Sequence, residues 1–167
     1  FLLYKVFRKG KYHMVQYSTP NASFYAAVAS FLARIPIHLY CQWGMVFVTM
    51  KGIRRLIFQT IERLVCLLST HVQPDSRGNL NYCRRRGFYS KEKSCLIWNG
   101  SAKGVDLNRF DIKKKEIYRR ETRSRYGIGE DCIVIGYVGR LGAEKGCAEL
   151  FEAFRRIEGQ YPKLKLL

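Results

Sequence analysis

The sequence predicts an α/β fold in which two small parallel-sheet units follow each other along the chain. Segments with strand character alternate with segments of helical periodicity, the pattern of a parallel sheet with crossover helices. The charge also changes abruptly, since residues 1–129 hold 24 Lys and Arg against 7 Asp and Glu, whereas residues 130–167 hold 6 of each. Finally, residues 132–138 form a nearly continuous apolar run, as expected for a strand buried on both faces.

The first part of the chain reads as short strands separated by helices. Residues 22–34 are rich in alanine and predict a buried helix that Pro36 ends. Asp75 or Ser76 is expected to cap a helix that runs to Arg86. The strands are predicted at 12–17, 37–42, 70–73 and 94–98. The clearest helix spans 51–68, with one stripe expected to face the core, formed by Ile53, Ile57, Ile61, Leu64, Val65 and Leu68, while Arg54, Arg55, Gln59, Glu62 and Arg63 lie mostly elsewhere.

The second part begins with loop residues and a highly charged helix from about Lys113 to Arg125, which Gly127 and Gly129 close. The apolar strand at 132–138 is followed by a polar, glycine-bearing loop at 139–146. A helix is predicted at 148–157 and a last strand at 164–167. The side chains expected to face inward from that helix are Leu150, Phe151, Phe154 and Ile157.

Composition narrows the class of protein. The 167 residues carry a formal charge of +17 with 47% hydrophobic residues, which excludes a disordered basic tail and points to an anionic partner. The six cysteines are widely spaced, without a CxxC pair and away from the histidines, so the sequence predicts reduced thiols and no zinc site. The longest apolar run, residues 22–33, is too short for a bilayer, which needs roughly 20 residues.

The loop between the apolar strand and the last helix is the best candidate for chemistry. Gly139 permits close approach of a ligand to the backbone, and Arg140 and Lys145 lie five residues apart. The helix that begins just beyond offers free N–H groups and the positive end of its dipole, so the parts describe a clamp for a diphosphate. The alternative is that both cations are ordinary solvated loop residues. The loop matches neither the Walker A sequence nor GxGxxG.

Three segments in order resemble the GT-B glycosyltransferases of family 4, the "glycosyl transferase group 1" class, in its polysaccharide-assembly members. The first is residues 98–110, with Asn-Gly followed by Gly-Val-Asp and Arg-Phe. The second is residues 135–146, which include Gly139-Arg140-Leu141 and Glu144-Lys145-Gly146. The third is residues 148–167, and upstream the segments 18–23 and 72–76 resemble acceptor-domain segments of the same class.

The resemblance implies two Rossmann-like parallel-sheet units of GT-B type, both incomplete in this chain. Residues 1–99 would form part of the acceptor domain, residues 100–130 an interdomain linker with a charged helix, and residues 131–167 the start of the donor-binding domain. The implied reaction transfers a sugar from a nucleotide-diphosphate sugar to a glycan or lipid-linked acceptor, with retention of configuration. The class implies no cofactor and no metal, and a chain of this extent is expected to be inactive alone.

The resemblance also assigns roles to particular residues. Gly139, Arg140 and Lys145 would bind the donor diphosphate. No catalytic residue is named, because the positions comparable to acceptor-side histidines hold other residues. The positions assigned to the linker, with a structural role in turning the chain, are Asn99, Gly100, Gly104 and Asp106.

The basic first part leaves a choice of anionic partner. An anionic membrane surface is expected, since a basic amphipathic helix can lie on lipid; the protein would then work in the cytoplasm at the inner face of the membrane. The competing interpretation is a basic nucleic-acid-binding module without catalytic activity, although no recognition motif is present and no specific nucleic acid is expected. Its phosphate contacts would come from residues 84–86, 113–115 and 119–120.

Overall fold

The structure is a computed structural model that describes residues 1–142 and 145–167. The chain forms two compact units, Phe1–Gly104 and Val105–Leu167. The first unit contains α1 (Leu2–Gly10), β1 (Met14–Tyr17), α2 (Pro20–Ala33), β2 (Ile37–Gln42), a 3-10 helix (Val46–Thr49), α3 (Gly52–Leu68), β3 (His71–Pro74) and α4 (Arg77–Arg85). The second contains a 3-10 helix (Ile112–Lys114), α5 (Lys115–Arg125), β4 (Ile133–Ile135), α6 (Cys147–Glu158) and β5 (Leu164–Leu166).

The three strands of the first unit form a parallel sheet in the order β1-β2-β3. Tyr17 pairs with Tyr40, and Tyr40 pairs with Val72, so these three side chains share one face of the sheet. All three are buried, and the two tyrosine rings stack with centroids 5.9 Å apart. This face of the sheet therefore carries the core of the unit.

Helix α2 packs closely because its inner side chains are small. Ser23, Ala26, Ala27 and Ser30 are all buried, and the Ser30 hydroxyl donates to the carbonyl of Ala26. Small side chains let the backbone approach its neighbours, which explains why an alanine-rich segment becomes the buried helix that the sequence predicts.

Helix α3 lies at its predicted position, but the side of it that packs into the core differs in part from the prediction. The residues that pack into the core are Phe58, Ile61, Val65, Cys66 and Leu68, so the prediction is confirmed for Ile61, Val65 and Leu68. Ile53, Ile57 and Leu64, which the sequence assigned to the inner stripe, are exposed. The helix has apolar side chains on two sides, so the spacing alone could not say which side packs.

Glu62, assigned by the sequence to the polar side of α3, is instead buried at 6% exposure. Its Oε1 atom accepts hydrogen bonds from the Tyr40 hydroxyl at 2.9 Å and from Gln42 Nε2 at 2.6 Å. The Tyr89 hydroxyl in turn donates to Gln42 Oε1 at 3.0 Å. Burial raises the pKa of the Glu62 carboxyl, and the two donors oppose that rise.

Two elements of the first unit were not predicted. Residues 2–10 form the helix α1, and residues 46–49 form a 3-10 helix between the strand predicted at 37–42 and the helix predicted at 51–68. Phe47 in that 3-10 helix is one of the most buried side chains, at 1% exposure, and stacks on Phe88. The core thus includes a residue outside every predicted element.

The prediction of a strand at 94–98 is wrong. Only Ser94 bridges to Val72, and the backbone then leaves the sheet. The Arg84 side chain holds this point by donating to the Ser94 hydroxyl and to its carbonyl. The predicted cap of α4 is confirmed at Ser76, whose hydroxyl accepts from the backbone N–H of Asn79.

The second unit pairs β4 with β5 in a two-stranded parallel sheet. The predicted strand at 132–138, buried on both faces, is reduced to Ile133–Ile135, and Ile133 and Val138 are exposed. On α6, Leu150 and Phe154 are half-buried, whereas Phe151 and Ile157 are exposed rather than inward. A two-stranded sheet offers little area to cover these side chains.

No helix within residues 1–142 and 145–167 is both long enough and apolar enough to cross a bilayer.

Candidate functional site

The loop predicted to bind phosphate leaves β4 and leads into α6. Beyond the strand, the backbone N–H of Tyr137 still donates to the carbonyl of Leu167 at 2.8 Å, so the chain follows β5 before it turns. Gly139, Arg140 and Lys145 lie in this loop, and both cations are exposed. Residues 143 and 144 fall outside the described part of the chain, including Glu144 of the resembling segment.

Tyr137 organises the loop from inside. Its hydroxyl donates to the carbonyl of Arg140 at 3.2 Å, and the Cys147 thiol donates to the same hydroxyl at 3.2 Å. A Cβ atom at Gly139 would lie 2.7 Å from the Tyr137 hydroxyl oxygen. Glycine at this position therefore makes room for the tyrosine that connects the loop to the start of α6, a role that the sequence analysis missed.

The start of α6 carries mixed charge. Gly146 caps the helix with φ of 70°, and the backbone N–H of Lys145 donates to the carbonyl of Gly142 at 3.0 Å. The free N–H groups of the first turn favour an anion. Glu149 in the same turn opposes one, since its carboxylate approaches the Cβ position of Gly146. An anion here would depend on the two loop cations.

The four positions assigned to the linker divide between the two units. Asn99, Gly100 and Gly104 belong to the first unit and Asp106 to the second. Asn99 is exposed, and the backbone N–H of Gly104 donates to the Ser101 hydroxyl at 3.1 Å. The Asp106 carboxylate accepts from the backbone N–H of Asn108 at 2.9 Å, which forms a turn typical of aspartate.

Gly100 sits where a side chain cannot fit. It has φ of 94°, and a Cβ atom would lie 2.3 Å from the carbonyl oxygen of Asp75. We expect Gly100→Ala to destabilise the first unit by about 1–3 kcal/mol or more, because both the backbone and that contact would be strained. Gly104→Ala is the matched control, since Gly104 also has positive φ but nothing within 4 Å of its Cβ position.

The measurement is urea unfolding followed by tryptophan fluorescence. Both tryptophans, Trp43 and Trp98, belong to the first unit, so the signal reports on that unit. Equal losses of unfolding free energy for Gly100→Ala and Gly104→Ala would show that the close contact with the Asp75 carbonyl adds nothing to the cost of a side chain at Gly100.

A cavity of about 310 Å³ lies beyond the carboxyl end of β1 in the first unit. Its polar wall comes from Thr19 and Asn21 at the start of α2. Ser23 in the same turn is fully buried, and its hydroxyl has no hydrogen-bond partner among the described residues. The remaining wall is mainly apolar and consists of Pro20, Val46, Met50 and Phe58.

The side chains of the described residues do not form a cluster of metal ligands. Within residues 1–142 and 145–167, no three His, Cys, Asp or Glu side chains lie close enough to share a metal ion. The six cysteines are all unpaired thiols, and burial raises the pKa of Cys41, Cys66 and Cys83.

Comparison with known proteins places these features in a wider context. No family model matches the chain. It is 25% identical to the capsular polysaccharide biosynthesis glycosyltransferase CapM of Staphylococcus aureus. The match extends over 162 residues, which are 97% of this chain and 42% of CapM. Its structure resembles Anabaena HepE, crystallised in complex with UDP, with a TM-score of 0.68 at 22% identity, over 99% of the chain and 44% of HepE.

The chain therefore spans less than half the length of each protein that it matches. The likeness to HepE confirms the α/β fold with parallel strands in two Rossmann-like units. The likeness to CapM confirms the resemblance to glycosyltransferases of polysaccharide assembly, whereas the assignment to family 4 stays a prediction. The chain thus has a Rossmann-like fold and is similar to a polysaccharide glycosyltransferase.

Proposed function

We propose that this chain forms part of a glycosyltransferase that moves a sugar from a nucleotide-diphosphate sugar to a glycan or lipid-linked acceptor in surface polysaccharide biosynthesis. The observation that carries the proposal is the similarity to CapM along 97% of the chain. The UDP bound to HepE, a protein of the same fold, agrees with a nucleotide-sugar donor. Retention of configuration is part of the proposal and rests on the family resemblance.

The donor diphosphate would bind at the loop between β4 and α6. Arg140 can contact two phosphate oxygens, and Lys145 can act as a compact charge beside them. Negative charge grows on the diphosphate as the glycosidic bond to it breaks, so fixed cations there stabilise the transition state more than the ground state. Tyr137 would serve as a positioning residue, because its hydroxyl holds the Arg140 carbonyl.

The first unit would contribute the acceptor side. The cavity beyond β1 combines Thr19 and Asn21 with apolar walls, which suits an acceptor with polar and apolar parts. The reaction would take place in the cytoplasm, a setting consistent with six unpaired thiols.

The nucleic-acid alternative is not favoured, because some side chains of the basic runs already make contacts within the chain. Arg84 donates to Ser94 and to the carbonyl of Lys91, and the Arg86 guanidinium lies over the Tyr82 ring. Arg119 pairs with Glu130. These side chains are less available for a row of phosphate contacts.

The proposal is tested by titrating UDP and GDP into the 167-residue chain while amide signals are followed by NMR. We expect shifts at Gly139, Lys145, Gly146 and Cys147, with binding weakened about tenfold to a hundredfold by Arg140→Ala or Lys145→Ala. Lys165→Ala, which removes an exposed cation from β5, is the matched control.

Circular dichroism must show that each variant keeps its helices. Nucleotide binding that both loop variants leave intact would overturn the assignment of the diphosphate to this loop. Shifts that are absent for every nucleotide diphosphate would overturn a donor site in this chain.

A further inference from the structure

A groove of about 430 Å³ lies beside helix α4 in the first unit. One wall is α4 itself, and the other is the segment that leaves the sheet after Ser94. Its volume is in the range of sites for small ligands. We call it the α4 groove, and its lining includes Arg77, Asn81, Arg84, Cys95, Leu96 and Trp98.

Trp98 presents an indole ring to water at the wall of the α4 groove. Its side chain is 90% exposed. Its backbone has φ of 50°, and Gly100 and Ser101 follow with φ of 94° and 78°. A bulky residue with positive φ is strained, and such strain persists where the surrounding structure holds it and is concentrated at binding sites. Here the backbone N–H of Ser101 holds the segment by donating to the carbonyl of Asp75, directly after β3.

The wall formed by α4 offers hydrogen-bond donors that the fold does not use. Arg77 and Asn81 are exposed one helical turn apart, and neither side chain has a hydrogen-bond partner among the described residues. Arg77 occupies the first position of α4, where a positive charge opposes the helix dipole, so its charge does not stabilise the helix. Arg84 is held in place by its bonds to Ser94.

The α4 groove is positively charged. Arg77 and Arg84 both line it, and within the described part of the chain no aspartate or glutamate does. Asp75, two residues before Arg77, is half-buried and accepts from the Asn79 amide. A ligand that carries a carboxylate would therefore meet guanidinium groups, whose planar donors match the geometry of a carboxylate.

We propose that the α4 groove binds a carboxylate-bearing sugar ring of a polysaccharide, with the ring on the Trp98 indole and the carboxylate at Arg77. One face of a pyranose consists of C–H groups and packs on an aromatic ring. The hydroxyls around its rim need partners that both donate and accept, which the Asn81 amide does. The inference rests on the proposed function for the presence of a polysaccharide, and it adds the class of sugar that the first unit would hold.

Other ligands fit the α4 groove less well. A neutral sugar would leave the charge of Arg77 without a partner. A single-stranded nucleic acid could stack one base on Trp98, but such sites combine several stacking side chains with a row of cations along the backbone. The α4 groove has one aromatic ring and two arginines in its lining among the described residues.

The test uses the thiol of Cys95, which is exposed and lines the α4 groove. The 167-residue chain is treated with a thiol reagent in the presence of trigalacturonate, and the modification of Cys95 is measured by mass spectrometry of its peptide. We expect trigalacturonate to protect Cys95 at a concentration about tenfold lower than maltotriose, a neutral trisaccharide. Acetate, a carboxylate without a ring, should not protect it at the same concentration.

Two variants test the stacking and the charge. We expect Trp98→Ala to weaken protection by trigalacturonate about tenfold or more, whereas Trp98→Phe keeps an aromatic face and should retain part of it. The matched control is Trp43→Ala, which removes an exposed tryptophan outside the groove.

Arg77→Gln should weaken protection about tenfold. Its matched control is Arg85→Gln, which removes the same charge from the same helix outside the groove and should leave protection unchanged. Circular dichroism checks that every variant keeps its helices.

Several results would overturn the proposal. They are no protection of Cys95 by trigalacturonate, equal protection by maltotriose or by acetate, and equal losses in Trp98→Ala and Trp43→Ala or in Arg77→Gln and Arg85→Gln. Stronger protection by oligothymidylate than by trigalacturonate would overturn it in favour of a nucleic-acid site. Nucleotide binding at the loop 139–146 is measured separately, so a failure here leaves the proposed donor site standing.

Discussion

Replacing Glu62 by alanine is expected to lower the free energy of unfolding of the first unit by about 3–5 kcal/mol. The carboxylate accepts two hydrogen bonds on one oxygen, from Tyr40 and from Gln42. Truncation would leave both donors buried, at 2% and 0% exposure, without their acceptor. A buried donor that loses its partner costs more than the bond itself contributed.

We expect the loss of stability to exceed the contribution of these two hydrogen bonds. Gln42 Oε1 accepts from the Tyr89 hydroxyl, so the orientation of its amide is fixed at both ends. Without Glu62 the Gln42 amide keeps, among the described residues, the two donors to its Oε1 atom, Tyr89 and Cys83. The measurement is urea unfolding followed by the fluorescence of Trp43 and Trp98, and a loss under 1 kcal/mol would contradict the role of the network.

Glu62→Gln separates the charge of the carboxylate from its hydrogen bonds. Burial raises the pKa of Glu62 in the folded state above its ordinary value of 4.5, so the folded state binds more protons than the unfolded state just above pH 4.5. The part of the stability that comes from protonating Glu62 in the folded state is therefore fully present below pH 4.5 and is lost as pH rises through the folded pKa. Glutamine does not titrate and should remove this part of the pH dependence.

The check is a pair of unfolding series from pH 4 to pH 8. We expect the difference in stability between Glu62→Gln and the wild type to move in favour of the variant as pH rises. A difference that stays constant across the series would mean that Glu62 keeps an ordinary pKa in the folded unit.

Phe47→Ala is expected to cost about 3–5 kcal/mol of the stability of the first unit. The ring is 1% exposed and stacks on Phe88 with centroids 5.7 Å apart and planes 11° from parallel. Its removal would leave a cavity beside α3 and the Phe88 ring that the 3-10 helix cannot refill. Over the Phe88 ring lies the guanidinium of Arg63, so that contact would also weaken.

Val48→Ala in the same 3-10 helix is the control. Val48 is 52% exposed, and its truncation should change stability by less than about 0.5 kcal/mol. Similar losses for the two variants would show that the 3-10 helix, rather than the Phe47 ring, determines the effect.

Sequence patterns predicted most of the elements because each is specified locally. The strand at 37–42 is confirmed at its predicted bounds, and α3 begins one residue from its predicted start. Ser76 caps α4, because a serine hydroxyl next to free N–H groups needs no distant partner. The strand predicted at 94–98 failed for the opposite reason, since pairing depends on a neighbouring strand and only Ser94 reaches one.

The candidate site was predictable in position but not in its internal contacts. A loop at 139–146 was expected between a strand and a helix, and its glycines and two cations made it the candidate for phosphate binding. The link from Tyr137 to Arg140 and Cys147 joins positions three and ten residues apart through a side chain, which no spacing rule describes. The assignment of the diphosphate to Arg140 and Lys145 stays a prediction.

By itself, the sequence determined the α/β alternation, the basic first part and the position of the glycine-rich loop, because propensity, charge and turn chemistry act over a few residues. Only the tertiary structure decided which side of α3 meets the core. Helical spacing marks the apolar sides of a helix without ranking them, and packing against β2 and α2 selected the side of Phe58, Ile61 and Val65. That choice buried Glu62 in a polar network and left Ile53, Leu56 and Leu67 exposed.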